Sequence, residues 1–286
     1  MSTLRDIKRR INSVRNTQQI TKAMKMVAAS RLRRAQETIL ASRPYALKML
    51  EVLASLSLRT NPGAHPLLEV REPHKVDLLV ISSDRGLCGA FNANIIRRAE
   101  AFMRENPDWE FTLHVIGRKA NDYFKRRDYN IRKVSLNILQ DTSFAHAAVM
   151  GTDIVDSFLK KEYDQVFVVY NEFKSAIAQR VVVEQLLPIK PLDISEEDYF
   201  PVEYTFEPSE EVLLEELLPR HINVQVYRIL LESAASEHGA RMTAMESATK
   251  NASEMIDKLT LVYNRSRQAA ITKELIEVVS GKEAMK

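Results

Sequence analysis

Residues 5–37 read RDIKRRINSVRNTQQITKAMKMVAASRLRRAQE, and the reading of that run decides the fold. It holds neither Pro nor Gly, and the first proline of the chain is Pro44. Leu4, Ile7, Ile11 and Val14 fall at the alternating three-and-four spacing of a helix seam. The pattern predicts that the seam runs on through Ile20, Met24, Val27 and Leu32, with Ala23, Ala28 and Ala35 beside it and polar Gln18 and Thr21 interrupting it. Pro44 lacks a backbone donor and is expected to kink or briefly break the helix. Leu47, Leu50, Leu53 and Leu56 carry the pattern on, and NPGAHP at 61–66 is a turn signal that ends it. About 55 residues at 1.5 Å each make a rod of roughly 80 Å, too long for an ordinary domain helix.

The other end of the chain mirrors it. From Ser209 onward there is one proline, Pro219, and glycine only at Gly239 and Gly281. Ser209 ahead of Glu211 and Val212 is a plausible cap. Ile222, Val226, Ile229, Ser233, Ser236 and Ala240 keep the helical rhythm, and Ala244, Ala248, Ala252, Met255, Leu259, Val262, Ser266 and Ala269 extend it. So many Ala and Ser on a seam imply close backbone approach to a neighbouring helix with little apolar area per turn. A long helix with so thin a stripe is marginal alone in water. The economical solution is an antiparallel coiled coil between residues 1–58 and 209–286. Gly239 costs about 1 kcal/mol in a helix interior and is tolerable where something passes close.

Between the two helices the pattern changes. KVDLLVISSD (75–84), FTLHVIG (111–117) and DQVFVVYNEF (164–173) read as strands buried on both faces, being nearly continuous apolar runs. NIRKVSL near Ile131 and AIAQRVVVEQLLPI read as two more. FNANIIRRAEAFMREN (91–106), RKANDYFKRR and FAHAAVMGTDIVDSFLK (144–160) read as the helices between them. Strands alternating with helices predict an α/β fold, a Rossmann-like open sheet with helices on both faces. The expected division is a helix at 1–58, a linker at 59–74, the α/β domain at 75–190, a Pro-rich acidic connector at 191–208 with some extended structure near Val202, and the second helix at 209–286.

Composition excludes several function classes. The net charge is only +3, so the chain as a whole is no strong polyanion binder. A single cysteine, Cys88, excludes an intramolecular disulfide and a Cys-based zinc cluster. No run of eighteen apolar residues exists to span a membrane. The N-terminus is basic and amphipathic, as a mitochondrial presequence is, but its helical pattern continues without a processing break.

SSDRGLCGAFN at 82–92 is the most suggestive motif for chemistry, since it follows a strand where open α/β sheets place their ligands. Asp84, Arg85 and Cys88 look reactive there. Yet no G-x-G-x-x-G and no phosphate loop occurs anywhere. Gly86 and Gly89 more simply let a strand turn into a helix, and no neighbouring histidine activates Cys88. The expectation is a structural turn made by Asp84, Gly86, Cys88 and Gly89. Histidines at 65, 74, 114, 146, 221 and 238 lack metal-ligand spacing. Glu196 with Glu197, and Glu210 with Glu211, suit a connector and a positive helix end. The expectation is no catalytic residue, no metal and no bound cofactor.

The basic run remains. From Ser2 to Arg34 it holds ten Lys or Arg and one acidic residue, Asp6. A nucleic-acid helix would need a groove-fitting face with phosphate contacts, but these residues share the helix with a seam that needs its own partner, and no aromatic precedes Tyr45. A membrane-surface helix would need Trp or Phe on its apolar stripe. A protein partner with an acidic surface fits best; a freestanding coiled-coil scaffold or a basic nucleic-acid adaptor is the alternative.

INSVRNTQQITKAMKMVAASRLRRAQ (11–36), SDRGLCGAFN (83–92) and ITKELIEVVSG (271–281) occur in this order on the elements just described. Together they resemble the γ-subunit family of F-type ATP synthases, over essentially the whole chain. The resemblance implies a non-catalytic central rotor shaft, one copy in an α3β3γδε head. Its coiled coil would turn inside the α/β ring, and its α/β domain would sit beside ε and the c ring. Nucleotide and Mg would be held by the partner subunits. It implies that Met24 faces an acidic lever of the β subunit, with Lys22, Lys25, Arg31, Arg33 and Arg34 in the same basic surroundings. Arg267 and Gln268 would contact a β-subunit loop, with Arg241 in the same region and Glu274 and Glu277 as signature acids. The sequence departs from the family where Gly281 is followed by Lys282 rather than Ala, and it lacks the cysteine-pair insertion of chloroplast relatives. No cleavable transit sequence precedes TLRDIKRRI, so the implied source is bacterial, with the complex peripheral to the cytoplasmic face of the plasma membrane.

Overall fold

The computed structural model of the chain describes residues 3–57, 65–190, 207 and 209–284. Outside these lie most of the turn expected at 61–66 and residues 59–64 of the expected linker. Outside them too, but for residue 207, lies the connector at 191–208, with Glu196, Glu197 and the stretch near Val202. The chain divides into two compact units, Met1–Ala28 with Met242–Lys286, and Ala29–Arg241.

Helix α1 spans Leu4–Ser57 and helix α5 spans Glu210–Ala284. Ser209 caps α5 as expected, its Oγ accepting from the Val212 amide at 3.4 Å. Neither Pro44 nor Pro219 breaks its helix, which corrects the interruption expected at Pro44. Each proline removes one donor, to the carbonyl four residues earlier. Those carbonyls belong to Leu40 and Glu215, both on exposed turns where water can serve them.

In the first unit α1 and α5 run antiparallel. Thr21 lies against Thr249, their hydroxyls 2.8 Å apart, and Lys25 Nζ reaches Glu246 Oε1 at 2.6 Å. As the first index rises the second falls. The covered faces follow strict heptad steps: Leu4, Ile7, Ile11, Val14, Gln18, Thr21, Lys25 and Ala28 on α1, and Met242, Met245, Thr249, Ala252, Ile256, Leu259, Tyr263, Ser266 and Ala270 on α5, all buried or half-buried. This corrects the expected seam. Ile20 and Val27 stand 60% and 55% exposed, and on α5 Met255 and Val262 stand 52% and 48% exposed. Gln18 and Thr21 are not interruptions but members. Thr21 can be buried because Thr249 answers its hydroxyl; an apolar count along the sequence cannot register that.

In the second unit, strands β1 (Lys75–Ile81), β2 (Glu110–Ile116), β3 (Ile131–Ser135), β4 (Gln165–Phe173) and β5 (Gln179–Leu187) form one sheet in the order β3-β2-β1-β4-β5. The first four are parallel, and β5 is antiparallel to β4. The short Lys174–Ala178 link permits a hairpin but not a crossover. Successive β1 residues alternate between two cores. Leu78 and Val80 pack with α2 (Phe91–Glu105) and α3 (Arg118–Lys125). Leu79 and Ile81 pack with α4 (Phe144–Leu159) and with Met49, Leu53, Leu56, Ile222, Val226 and Ile229 of the long helices. The second half of α1 keeps the heptad rhythm, burying Leu32, Ala35, Met49, Leu53 and Leu56 and leaving Leu47 exposed.

Three backbone and side-chain features make the second unit sensitive to change. Gly117, between β2 and α3, has φ +90, and a Cβ there would stand 2.1 Å from the Ser82 carbonyl oxygen. Burial holds His114, His221 and His238 at a pKa of about 4. Burial pushes the Asp77 carboxyl up to about 7, against the pull of Arg132, whose Nη2 lies 3.2 Å away.

Two outcomes follow. Gly117→Ala should cost roughly 2–4 kcal/mol of stability in urea unfolding, and a change under 1 kcal/mol would contradict the geometry. The unfolded chain takes up protons on three histidines below about pH 6.5 that the folded chain refuses until about pH 4, so their stabilisation is lost as pH falls through that window. Asp77 works oppositely, favouring the fold while protonated and losing that contribution as pH rises toward about 7. Melting temperature should therefore fall on acidification from pH 6.5 to 4.5, more steeply in Asp77→Asn and less steeply in His221→Gln.

Candidate partner-contact surface

The residues singled out for partner contact do not form one cluster. Within the first unit they make two stations. Lys22, Met24 and Lys25 sit on α1 beside the Thr21–Thr249 layer. Lys22 is exposed and Met24 half-buried. Lys25 is already engaged with Glu246, with 38% of its side chain still exposed. Arg267, Gln268 and Glu274 are exposed on α5. The register that sets Thr21 against Thr249 sets residue 267 against residue 3, so the stations lie roughly 30 Å apart along the helix pair.

Beyond Ala270 there is no α1 residue left to face α5. Ile271, Leu275, Ile276, Val278 and Val279 are all exposed, Val278 by 72%. Lys273 and Glu277 form an exposed pair at 3.6 Å. The helix continues through Gly281 and exposed Lys282, and a Cβ at Gly281 would meet nothing.

In the second unit Arg31, Arg33 and Arg34 are exposed on α1. Arg33 Nε reaches Glu37 at 2.9 Å, one turn on. Arg241 is turned inward instead. Its guanidinium lies 2.7 Å from Glu237, with only 12% of the side chain exposed, and Nη2 donates to the Gly86 carbonyl at 3.3 Å. Glu237, whose carboxyl burial pushes up, was not singled out from the sequence, although its spacing one turn before Arg241 was a usable signal. Glu246 and Thr249 carried no such signal, because their partners lie at the far end of the chain.

The turn after β1 is built from side chains that answer one another. Asp84 accepts the Arg118 amide at 3.2 Å and the Asn137 amide at 3.0 Å, tying the starts of two later segments to the turn. The Asn92 side chain folds back from the first turn of α2. Its Oδ1 accepts from the Ser83 amide at 2.9 Å, and its Nδ2 points at the Cys88 sulfur at 3.2 Å. Cys88 is buried, and burial pushes its thiol up, the opposite of what a nucleophile needs. Gly89 has φ 58 and so does the left-handed work of the turn together with Leu87 at φ 63, while a Cβ at Gly86 would meet the flexible end of the Lys119 side chain in ordinary contact, at 3.9 Å. Among the described residues no three His, Cys, Asp or Glu converge as metal ligands, and no helix is long and apolar enough to cross a membrane.

Comparison with known proteins gives one answer. A family model described as ATP synthase matches residues 3–285. The ATP synthase gamma chain of Geotalea uraniireducens (strain Rf4) is 53% identical over 288 residues, with 100% of both chains covered. That of Anaeromyxobacter sp. (strain Fw109-5) is 53% identical over 292 residues, again with 100% of both covered. A chain in the central stalk and c-ring structure of the Tetrahymena thermophila mitochondrial ATP synthase superposes with a TM-score of 0.62 at 30% identity, covering 80% of this chain and 99% of that one. A chain of the Euglena gracilis mitochondrial ATP synthase gives 0.69 at 22% identity, covering 99% and 94%, and so shares the fold.

Since Lys25 and Glu246 are both well exposed, their pair should contribute only about 0.5 kcal/mol. A double-mutant cycle with Lys25→Ala and Glu246→Ala should return a coupling of that size that shrinks in high salt. A coupling above about 2 kcal/mol would mean the pair is desolvated.

Proposed function

The chain belongs to the ATP synthase gamma-chain family, and from that premise we propose that it is the central rotor of a bacterial F1Fo complex and transmits torque without doing chemistry. The antiparallel pair of α1 and α5 is the shaft inside a ring of α and β subunits, where nucleotide and Mg are held. The complex is peripheral to the cytoplasmic face of the plasma membrane, and ion flow through a c ring drives the rotor, with ε as a neighbour. Family membership sets aside the scaffold and nucleic-acid readings.

One observation carries this most strongly. The seam of the helix pair is closed, yet among the described residues the tip of α5 beyond Ala270 leaves five large apolar side chains in water. A water-soluble helix end of that composition needs an outside cover, and a ring of partner subunits supplies one. The contact is with apolar groups that fit any rotational position, which suits an axle in a sleeve.

The basic residues work differently. In the first unit Lys22 and Lys25 present charge on either side of Met24 toward an acidic lever of β, and in the second unit Arg31, Arg33 and Arg34 present charge of their own; Arg267, Gln268 and Glu274 face a second β element at the tip. Exposed ion pairs are individually worth about 0–1 kcal/mol. Weak contacts of that kind can be made and broken at each step of a turn. Arg241 acts within the second unit, where it holds the turn at Gly86.

Co-expression with the α and β subunits should yield one complex, and a bead fixed to this chain should rotate on addition of ATP. In the reconstituted complex Met24→Lys should lower the ions moved per ATP, because a third lysine between Lys22 and Lys25 adds one more ionic contact to the acidic lever that must be broken at each step. Failure to assemble with α and β, or an unchanged ratio in Met24→Lys, would contradict the reading.

A further inference from the structure

In an open α/β sheet the crevice beyond the carboxyl ends of the strands, where the strand order reverses, is the habitual ligand site. Here the reversal falls between β1 and β4. The chain's own α5 fills that crevice. On the β4 side, Ser236 Oγ donates to the Asn171 carbonyl at 3.1 Å. Gly239 lies against the turn that follows β4, where a Cβ would stand 3.1 Å from the Ala176 carbonyl oxygen. On the β1 side, Arg241 Nη2 donates to the carbonyls of Gly86 and Arg85 at 3.3 and 3.5 Å, while Glu237 holds the same guanidinium at 2.7 Å.

A helix that merely covers a sheet buries one stripe. From Ser233 to Gly239 every residue of α5 is buried. The segment is enclosed all round, and where it meets the sheet it is held on both sides of the reversal point. It also passes deeper into the unit, because the loop that Arg241 holds is itself fixed. Asp84, one residue before Arg85, carries the amides of Arg118 and Asn137, so a displacement of α5 would be resisted through α3 and the end of β3 as well as through β4. A guanidinium with 12% of its side chain exposed, paired to a carboxylate with 9% exposed, is a stiff element, since neither charge can leave its partner for water.

We propose that the strand-end crevice has become a mechanical joint, in which the sheet grips α5 at Ser236, Glu237, Gly239 and Arg241 so that helix and sheet turn as one piece under load. Arg241 is its positioning residue. The inference rests on the rotor reading for its use but not for its existence.

Hydrogen exchange in the assembled complex reads the grip, and the ions moved per ATP read its use. Arg241→Met should speed exchange at the amides of residues 84–89 and 236–241 by about tenfold, and lower the ions-per-ATP ratio by roughly a factor of two. Gly239→Val, which wedges the opposite side against Ala176, should give the same pair of changes. Should Arg241→Met fail to fold, Arg241→Lys carries the same expectation at smaller size, since one ammonium cannot serve Glu237 and both carbonyls. Unchanged exchange overturns the joint. Faster exchange with an unchanged ratio overturns its role under load and leaves only a stabilising contact. If the wild-type complex itself shows no coupling, the rotor reading fails while the exchange result still decides whether the grip exists.

Discussion

Two helices too long and too thinly apolar to stand alone must be covered along their length, and most of this structure follows from that constraint. A 75-residue helix gains little from propensity when Thr249, Ala252, Ser266 and Ala270 alternate with the larger residues of so narrow a seam. In the first unit the answer is the other end of the chain. Thr21 and Thr249 show how it is done with small residues. Thr21 Oγ1 lies 3.0 Å from the Gln18 carbonyl and Thr249 Oγ1 2.7 Å from the Met245 carbonyl, each within its own helix, and the two hydroxyls, 2.8 Å apart, bond to each other with either as donor. A polar layer in the seam is thereby fully satisfied, and the backbones can approach closely. In the second unit the cover is a sheet with a core on each face and a crevice that encloses α5 from Ser233 to Gly239.

The alternation of buried strands and amphipathic helices between residues 75 and 187 was legible because each element carries its own period. Strands such as KVDLLVI and QVFVVYNEF announce burial on both faces by themselves. The two long helices were legible from the helical rhythm and from how few Pro and Gly interrupt it. What could not be read was which stripe of each helix faces the other. Ile20 and Val27 outrank Gln18 and Thr21 on any apolar scale, yet they point outward; the deciding contact is made with a residue more than two hundred positions away. Pro44 misled for a related reason. Its local cost is real, but packing on the same helix at Met49, Leu53 and Leu56 holds the helix through it.

Candidate site residues divide the same way. Asp84 and Gly89 declared themselves as turn residues by position, and the amides that Asp84 accepts explain why a carboxylate is there. Arg241 did not declare itself. In the sequence it is one more basic residue on a helix, and only the fold shows its guanidinium turned to Glu237 and the Gly86 carbonyl. The same contact explains why a fold that elsewhere holds ligands at this place has another use here. The crevice is taken by protein, and a chain that belongs to a rotor family gains a firm attachment where other chains gain a pocket.

The central claim is that α1 and α5 of the first unit pair antiparallel with Thr21 opposite Thr249. Oxidative cross-linking of introduced cysteines tests it most directly, since native Cys88 is buried. The register sets Val14 against Ile256, so Val14→Cys with Ile256→Cys should form an intramolecular bridge in nearly every chain, and Val14→Cys with Ala270→Cys should form none. Bridging of the second pair in place of the first would contradict the pairing, and with it the account of the shaft.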